Sequence, residues 1–321
     1  MDRGSLTGFV ARRLLVLPLI LLLISLGVFS LIYLAPGSVE QALVGARPSS
    51  PALLKQLRHQ YHLDQPFLTQ YWIWLRRAVR LDFGTSIQTG ESVRTVILRR
   101  MTITVFLGVY GFVIAVASGV VLGIAAALKR RTGFDRTVGG LNVVAASAPA
   151  FATGLLLLYV FGVSLGWFPV FGQGTGFVDR VWHLALPALA LALTAMALIF
   201  KLTRTAMISA LDQDYVAFAR ARGVSESEIL VKYALRNALI PVVTACGLIL
   251  GYMLTGAVLI EVTFALPGIG SLLVDSVSFH DVPVVQGIAM LLATTIVLVN
   301  LLTDLLYLVV DPRVRFGSSG T

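Results

Sequence analysis

One polar stretch between two long apolar runs gathers Asp214, Arg220, Glu226, Glu228, Lys232 and Arg236, with Gly223 among them and Pro241 beyond. The acids and bases fit the charged ends of two short helices joined at a glycine. Arg222-Gly223 ends the first helix, because glycine takes the left-handed C′ position at little cost. Ser225-Glu226-Ser227-Glu228 opens the second as a capping box, with serine at the N-cap and glutamate at N3. Asp212 and Asp214 favour the start of the first helix, and Glu226 and Glu228 the start of the second. Lys232 and Arg236 lie toward the second helix's negative end. A stiff helical elbow on an apolar chain is suited to being pushed by another protein.

Other candidate groups are sparse. Asn300, Asp304 and Tyr307 fall at i, i+4 and i+7, on one helical face, within an apolar run. An acid at the centre of a membrane span costs roughly 2.5–3.5 kcal/mol, but Asp304 is about six residues, or roughly 9 Å, from the run's end. The trio either lines a substrate or proton path or braces neighbouring helices through hydrogen bonds, and bracing is the preferred reading. His59 and His62 have i, i+3 ligand spacing, but no third ligand is close in sequence, so no metal site is expected. His183 and His280 stand alone, and no HExxH or GxSxG pattern occurs. The single cysteine, Cys246, excludes an intrachain disulfide. A phosphate-cradling loop needs Gly-Lys-Ser/Thr. The lysines here follow Leu54, Leu128, Phe200 and Val231. The chain is therefore expected not to be an enzyme and to bind no cofactor of its own.

The elements that position these residues are membrane spans. Hydrophobic residues make up 57% of the chain and charged ones 13%, whereas soluble domains are nearer one half and one quarter. Mean hydropathy is +0.87. Apolar blocks of ~20 residues match a hydrocarbon core roughly 30 Å thick. Six are predicted: Leu14 to Leu34, Met101 to Leu128, a third from after Arg136 to about Val163, Val181 to Phe200, Asn237 to Ile260, and Val282 to Val310. Gly162 and Gly166-Trp167-Phe168-Pro169 are expected to end the third. The first block exceeds the ~7–15-residue core of a signal peptide, and no small-residue cleavage pattern follows it.

Basic residues set the orientation. Arg3, Arg12 and Arg13 precede the first span; Lys129, Arg130, Arg131 and Arg136 separate the second from the third. Lys201, Arg204, Arg220, Arg222, Lys232 and Arg236 lie between or near the ends of the fourth and fifth, and Arg313 and Arg315 follow the sixth. The short opposite loops hold Arg180 alone. Both termini are expected on the cytoplasmic side, and Trp72, Trp74, Trp167 and Trp182 near the outer boundary. The net charge of +9 follows from this bias, and no nucleic-acid partner is expected. In the outer segment a helix is predicted from Pro51 through Leu63, followed by an amphipathic interfacial helix from Phe67 to Leu81. Gly119/Gly123 and Gly247/Gly251 are GxxxG pairs, suited either to packing within the subunit or to a subunit interface. No internal repeat is found.

The polar stretch resembles the cytoplasmic coupling loop of ABC importer permeases. Ala219 stands at the motif's last alanine and Gly223 at its glycine; Ala217 replaces the initial glutamate, and the distance from Gly223 to Pro241 exceeds the general pattern. Both departures resemble the dipeptide/oligopeptide (and nickel) branch, whose segment ends in Leu235-Arg236-Asn237-Ala238-Leu239-Ile240-Pro241. Leu81-Asp82-Phe83-Gly84-Thr85-Ser86 resembles that branch's outer-loop signature. Glu261-Val262-Thr263-Phe264-Ala265-Leu266-Pro267-Gly268-Ile269-Gly270 resembles the segment after its fifth span. His280-Asp281-Val282-Pro283, Gln286-Gly287, and the tail from Asn300 to Asp311-Pro312-Arg313-Val314-Arg315 follow in order, with His280 where arginine is usual. The resemblance, to a B-type inner-membrane subunit, covers nearly the whole chain.

The resemblance implies an all-α polytopic fold with six transmembrane helices, the type I ABC importer permease fold. Residues 1–321 would form one transmembrane permease domain, with 35–100 an extracytoplasmic loop region containing short helices and 205–236 the cytoplasmic coupling loop. The implied partners are a second homologous permease, two ABC ATPase subunits carrying ATP and magnesium, an extracytoplasmic peptide-binding protein, and membrane lipid. The ATPase-coupling residues would be Asp214, Ala217, Ala219, Arg220, Ala221, Gly223, Val224, Ser225, Glu226 and Glu228. Dipeptides or oligopeptides are the expected cargo, in a bacterial inner membrane; nickel, glutathione or another small solute is the alternative within the family. An ion-coupled secondary transporter is the rival class. It usually carries several intramembrane ionisable groups and broken repeated helices, whereas here Asp304 is the acid placed inside a span.

Overall fold

The computed structural model describes residues 3–34, 39, 50, 51, 55, 58, 59 and 62–310; side chains at 3–12, 14, 34, 254, 255 and 306–310 are not described. The helix predicted from Pro51 through Leu63 falls largely outside the described residues, and so does the tail beyond Val310. Regular structure among the described residues is helical, apart from an isolated bridge between Thr85 and Ser92. The helices are α1 (Arg3–Leu34), α2 (Phe67–Ala78), α3 (Val93–Leu128), α4 (Gly133–Ser147), α5 (Ala150–Leu157), α6 (Gly176–His183), α7 (Ala185–Leu211), α8 (Asp214–Ala221), α9 (Glu226–Glu228), α10 (Arg236–Thr263), α11 (Ile269–Ser278) and α12 (Val282–Val310). Two π-helical segments, Leu158–Ser164 and Ile229–Leu235, continue α5 and join α9 to α10.

Five of these stretches are long and apolar enough to cross a membrane: Leu15–Tyr33, Val93–Leu128, Ala185–Leu211, Glu226–Met253 and Val282–Leu305. The sixth differs from expectation. The predicted third span is two helices meeting at 109°, Gly133–Ser147 and Ala150–Ser164. The cause is local. Pro149 disfavours helical backbone in the residue before it, and Ala148 is extended at φ −84°, ψ 131°. The pair does end at Ser164, near the glycines expected to stop it.

The chain packs as two compact units, Met1–Thr104 with Pro267–Leu298, and Val105–Leu266 with Val299–Thr321. In the first, the amphipathic α2 lays its aromatic face on α1. Phe29 meets Phe67, Tyr71 and Trp74 at ring separations of 5.4–5.7 Å. Gln286 of α12 ties both helices together: it accepts the Trp74 indole N–H at 3.1 Å and donates to the Val28 carbonyl at 3.3 Å. Asp281 is fully buried and draws in the outer signature, accepting from Ser86 Oγ (2.5 Å) and the N–H groups of Ile87 and Gln88 (3.1 and 3.2 Å). Two motifs almost two hundred residues apart are thus one buried knot. His280 beside it is the left-handed residue (φ 56°) that ends α11, a backbone role in place of a charge.

In the second unit both glycine pairs face helices of the same subunit. A Cβ at Gly119 would lie 2.8 Å from Ile199 Cγ2 of α7, and one at Gly123 would lie 2.7 Å from Thr203 Cβ. A Cβ at Gly247 would meet the side chain of Thr303 on α12. Small residues here let backbones close up within the subunit. Gly123→Val is expected to cost about 1–3 kcal/mol as overpacking and to lower the yield of folded subunit, read by detergent size exclusion. Unchanged yield and melting temperature would contradict this packing.

Candidate functional site

The predicted elbow follows α7. Gln213 is extended at φ −78°, ψ 148° and precedes α8. Gly223 has φ +79°, the left-handed region that costs other residues energy. The α8 terminus is a Schellman motif: the Val224 N–H donates to the Ala219 carbonyl at 3.1 Å, and the Gly223 N–H to the Arg220 carbonyl at 2.9 Å. Ser225 is the N-cap of α9, its hydroxyl accepting the Glu228 N–H at 3.4 Å. The helix–glycine–helix expectation holds.

A small core closes the hairpin: Val216, Ala219 and Ile229 are buried, with Val224 and Tyr233 packed against them. Arg220 Nε and Nη2 donate to the two Glu226 oxygens at 2.8 and 3.2 Å, bridging the turn. That hydrogen bonding raises the Arg220 guanidinium above its ordinary value. Both side chains are exposed, so solvent screens the pair and it adds little to stability. Glu228 is bound by Lys232 at 2.7 Å instead of reaching back to complete a reciprocal capping box. Asn237 Nδ2 donates to Tyr215 Oη at 3.2 Å, linking the two arms.

The second arm differs from expectation: the sequence predicts a short helix with Lys232 and Arg236 toward its end, and both residues lie within a longer helix. It does not stop before the next span: α9, the π segment and α10 form one continuous helical stretch from Glu226 to Thr263. The lever is therefore an extension of a membrane span. A cluster of Ala127, Met207, Ala210, Ala234 and Ala238 packs this stretch against α3 and α7.

The remaining residues expected to couple to an ATPase divide by face. Ala219 points inward, while Asp214, Ala217 and Ala221 are exposed. Phe218, absent from the sequence-derived set, is 71% exposed among them. A phenylalanine flanked by alanines at 217 and 219 was the available signal. Of the intramembrane trio, Asn300 is exposed and Asp304 half-buried, while the Tyr307 side chain is not described. Thr303, next to Asp304, is the buried residue packing on Gly247. The burial of two further acids was not read from the sequence. Glu261 is fully buried because α10 runs past Ile260 to Thr263. Asp135 is 7% exposed, gripped by Arg204 Nε and Nη2 at 2.7 and 2.8 Å.

Comparison with known proteins agrees with this architecture. The family model described as a binding-protein-dependent transport system inner membrane component matches residues 119–316, and that for the N-terminal part of such components matches residues 6–108. The glutathione transport system permease proteins GsiC of Escherichia coli (strain K12) and Salmonella typhi are each 38% identical over 309 residues, covering 96% of this chain and 99% of the relative. Two solved structures share the fold. The MetNI methionine ABC transporter in inward-facing conformations has a TM-score of 0.52 at 19% identity, covering 67% of this chain and 96% of that one. An amino acid ABC transporter with histidines has a TM-score of 0.51 at 18% identity, covering 66% and 93%. With relatives aligned almost end to end and helices in the same arrangement, the chain belongs to the binding-protein-dependent transport system inner membrane components: it is a multi-pass permease subunit of an ABC importer, a family that works with an ATPase and a substrate-binding protein.

Proposed function

We propose that this subunit carries short peptides across the membrane, glutathione (itself a modified tripeptide) among them, and takes its driving force through α8. A second, similar permease completes the passage, two ATPases holding ATP and magnesium grip the hairpins, and an extracytoplasmic protein delivers the cargo. The chain itself holds no nucleotide, and both termini face the cytoplasm with the hairpin. Asp214, Ala217, Arg220, Ala221 and Phe218 touch the ATPase, while Ala219, Gly223, Val224, Ser225, Glu226 and Glu228 hold the contact in shape. Asn300, Asp304 and Tyr307 brace α12.

The observation that carries this reading is the continuity of the lever: a glycine-set elbow whose second arm becomes α10 without a break. Helices resist bending, so displacement of α8 moves a span. Glutathione enters through the GsiC relatives. The test is uptake of labelled glutathione and dipeptide by cells carrying the full importer. ATP depletion is expected to abolish uptake and a protonophore at constant ATP to spare it. Loss with the protonophore alone would indicate an ion-coupled carrier, and uptake of neither compound would reject the peptide cargo.

A further inference from the structure

The short turn between α3 and α4 is fastened to α7 at two points. Arg130 Nη1 lies 2.8 Å from each oxygen of Asp212, which follows α7 directly and leads into the hairpin. Five residues beyond Arg130, in the first turn of α4, Asp135 takes the two-pronged bond from Arg204 and also accepts the Arg131 N–H at 3.0 Å. Arg204 and Asp212 are eight residues apart, about 12 Å along the helix. Asp135–Arg204 is the buried anchor; Arg130–Asp212 is exposed and weak on its own, but at this separation it limits rotation about the anchor.

The polarity of the attachments is reversed. The turn supplies the cation at one point and the anion at the other. A flipped turn would set Arg130 against Arg204 and Asp135 against Asp212, like charge against like. Ion pairs add little net stability over apolar packing, but opposed charges exclude wrong arrangements. Arg131 is left-handed at φ 65°, a strained conformation that the Asp135 bond to its N–H holds in place.

Beyond the turn lies α4, which borders a groove of about 680 Å³ also walled by Thr194, Lys201 and Tyr252 of α7 and α10. Asn142 of α4 lines it and donates to the Ala197 carbonyl of α7 at 3.1 Å. Movement that enters at the hairpin thus has a second route inward, from Asp212 through Arg130 and the turn to α4, besides the direct route along α10.

We propose that Asp135–Arg204 and Arg130–Asp212 are positioning pairs that make α4 move with α7 and the coupling hairpin, so that hydrolysis in the ATPase reshapes the groove that α4 borders. This rests on the reading of α8 as the surface the ATPase drives. The experiment uses the assembled importer in proteoliposomes and measures ATP hydrolysed and peptide transported on the same sample, per assembled complex. In Arg204→Met and in Asp135→Asn, peptide moved per ATP is expected to fall about tenfold, a typical size for coupling between distant sites, while hydrolysis stays near wild type. The swap Asp135→Arg with Arg204→Asp restores the ion pair but not the bond from the Arg131 N–H, and is expected to recover part of the ratio.

A merely structural pair predicts otherwise: hydrolysis and transport would fall together with the amount of assembled complex, and the ratio would hold. That result overturns the proposal, as does an unchanged ratio with full activity or a swap that recovers assembly but not the ratio. Wild-type transport that needs no hydrolysis would instead overturn the importer reading itself.

Discussion

Gly223→Val is expected to abolish peptide uptake while the subunit inserts and accumulates normally. The position needs φ +79°, and forcing a substituted residue into left-handed backbone costs roughly 1–2 kcal/mol, more when it is β-branched. Space is not the obstacle, since nothing lies within 4 Å of a Cβ built there. The strain therefore acts on the backbone alone. It is relieved by giving up the two hydrogen bonds that close α8 and turning α8 away from Ile229. The bridging Arg220–Glu226 pair, exposed and weak, adds little resistance. Gly223→Asn is the informative companion, because asparagine tolerates the left-handed position and should keep most of the uptake. Normal uptake by the valine variant at normal abundance would refute the elbow. Equal loss in both variants would mean that the surface at 223 matters in place of its conformation.

The second large effect is at Phe218. It is 71% exposed on a helix whose buried face is already occupied by Val216 and Ala219. Exposed alanines at 217 and 221 leave room for a partner to approach. Aromatic anchors at the centre of an interface commonly contribute 2 kcal/mol or more, about thirtyfold in affinity. Phe218→Asp should accordingly strip the ATPase from the purified permease, Phe218→Ala should weaken it, and Phe218→Tyr should retain it. Since the side chain points out, the hairpin core is untouched and helicity should not change. Full co-purification of the ATPase with the aspartate variant would remove α8 as the docking surface.

How far these features could be read beforehand depended on their range. The capped elbow was legible because each of its determinants is local: a glycine at C′, a serine three residues before a glutamate, acids at helix starts; the bases read as marking the second helix's end, Lys232 and Arg236, lie inside a longer helix. The spans were legible because lipid imposes apolar runs of a set length. The break at Ala148-Pro149 was also local and was passed over, since hydropathy averages across a proline that the backbone cannot ignore.

Other features are products of distance along the chain. The Asp281–Ser86 knot, the Gln286 tie and the Asp135–Arg204 clamp each join residues that no periodicity relates. The glycine pairs illustrate the division. Their spacing announces close helix approach, but which helix approaches is a matter of packing, and α7 and α12 of the same subunit turned out to be the neighbours.

By itself, then, the sequence determined that the chain lives in a membrane, roughly where its apolar blocks lie, and that a polar elbow interrupts them, because hydrophobic length and backbone stereochemistry act within a few residues. Only the tertiary structure decided that the elbow's second arm is the start of a span, that Phe218 faces outward, and that Asp135 and Glu261 are buried. Burial and pairing are set by which helices meet, and that is a property of the whole packed chain.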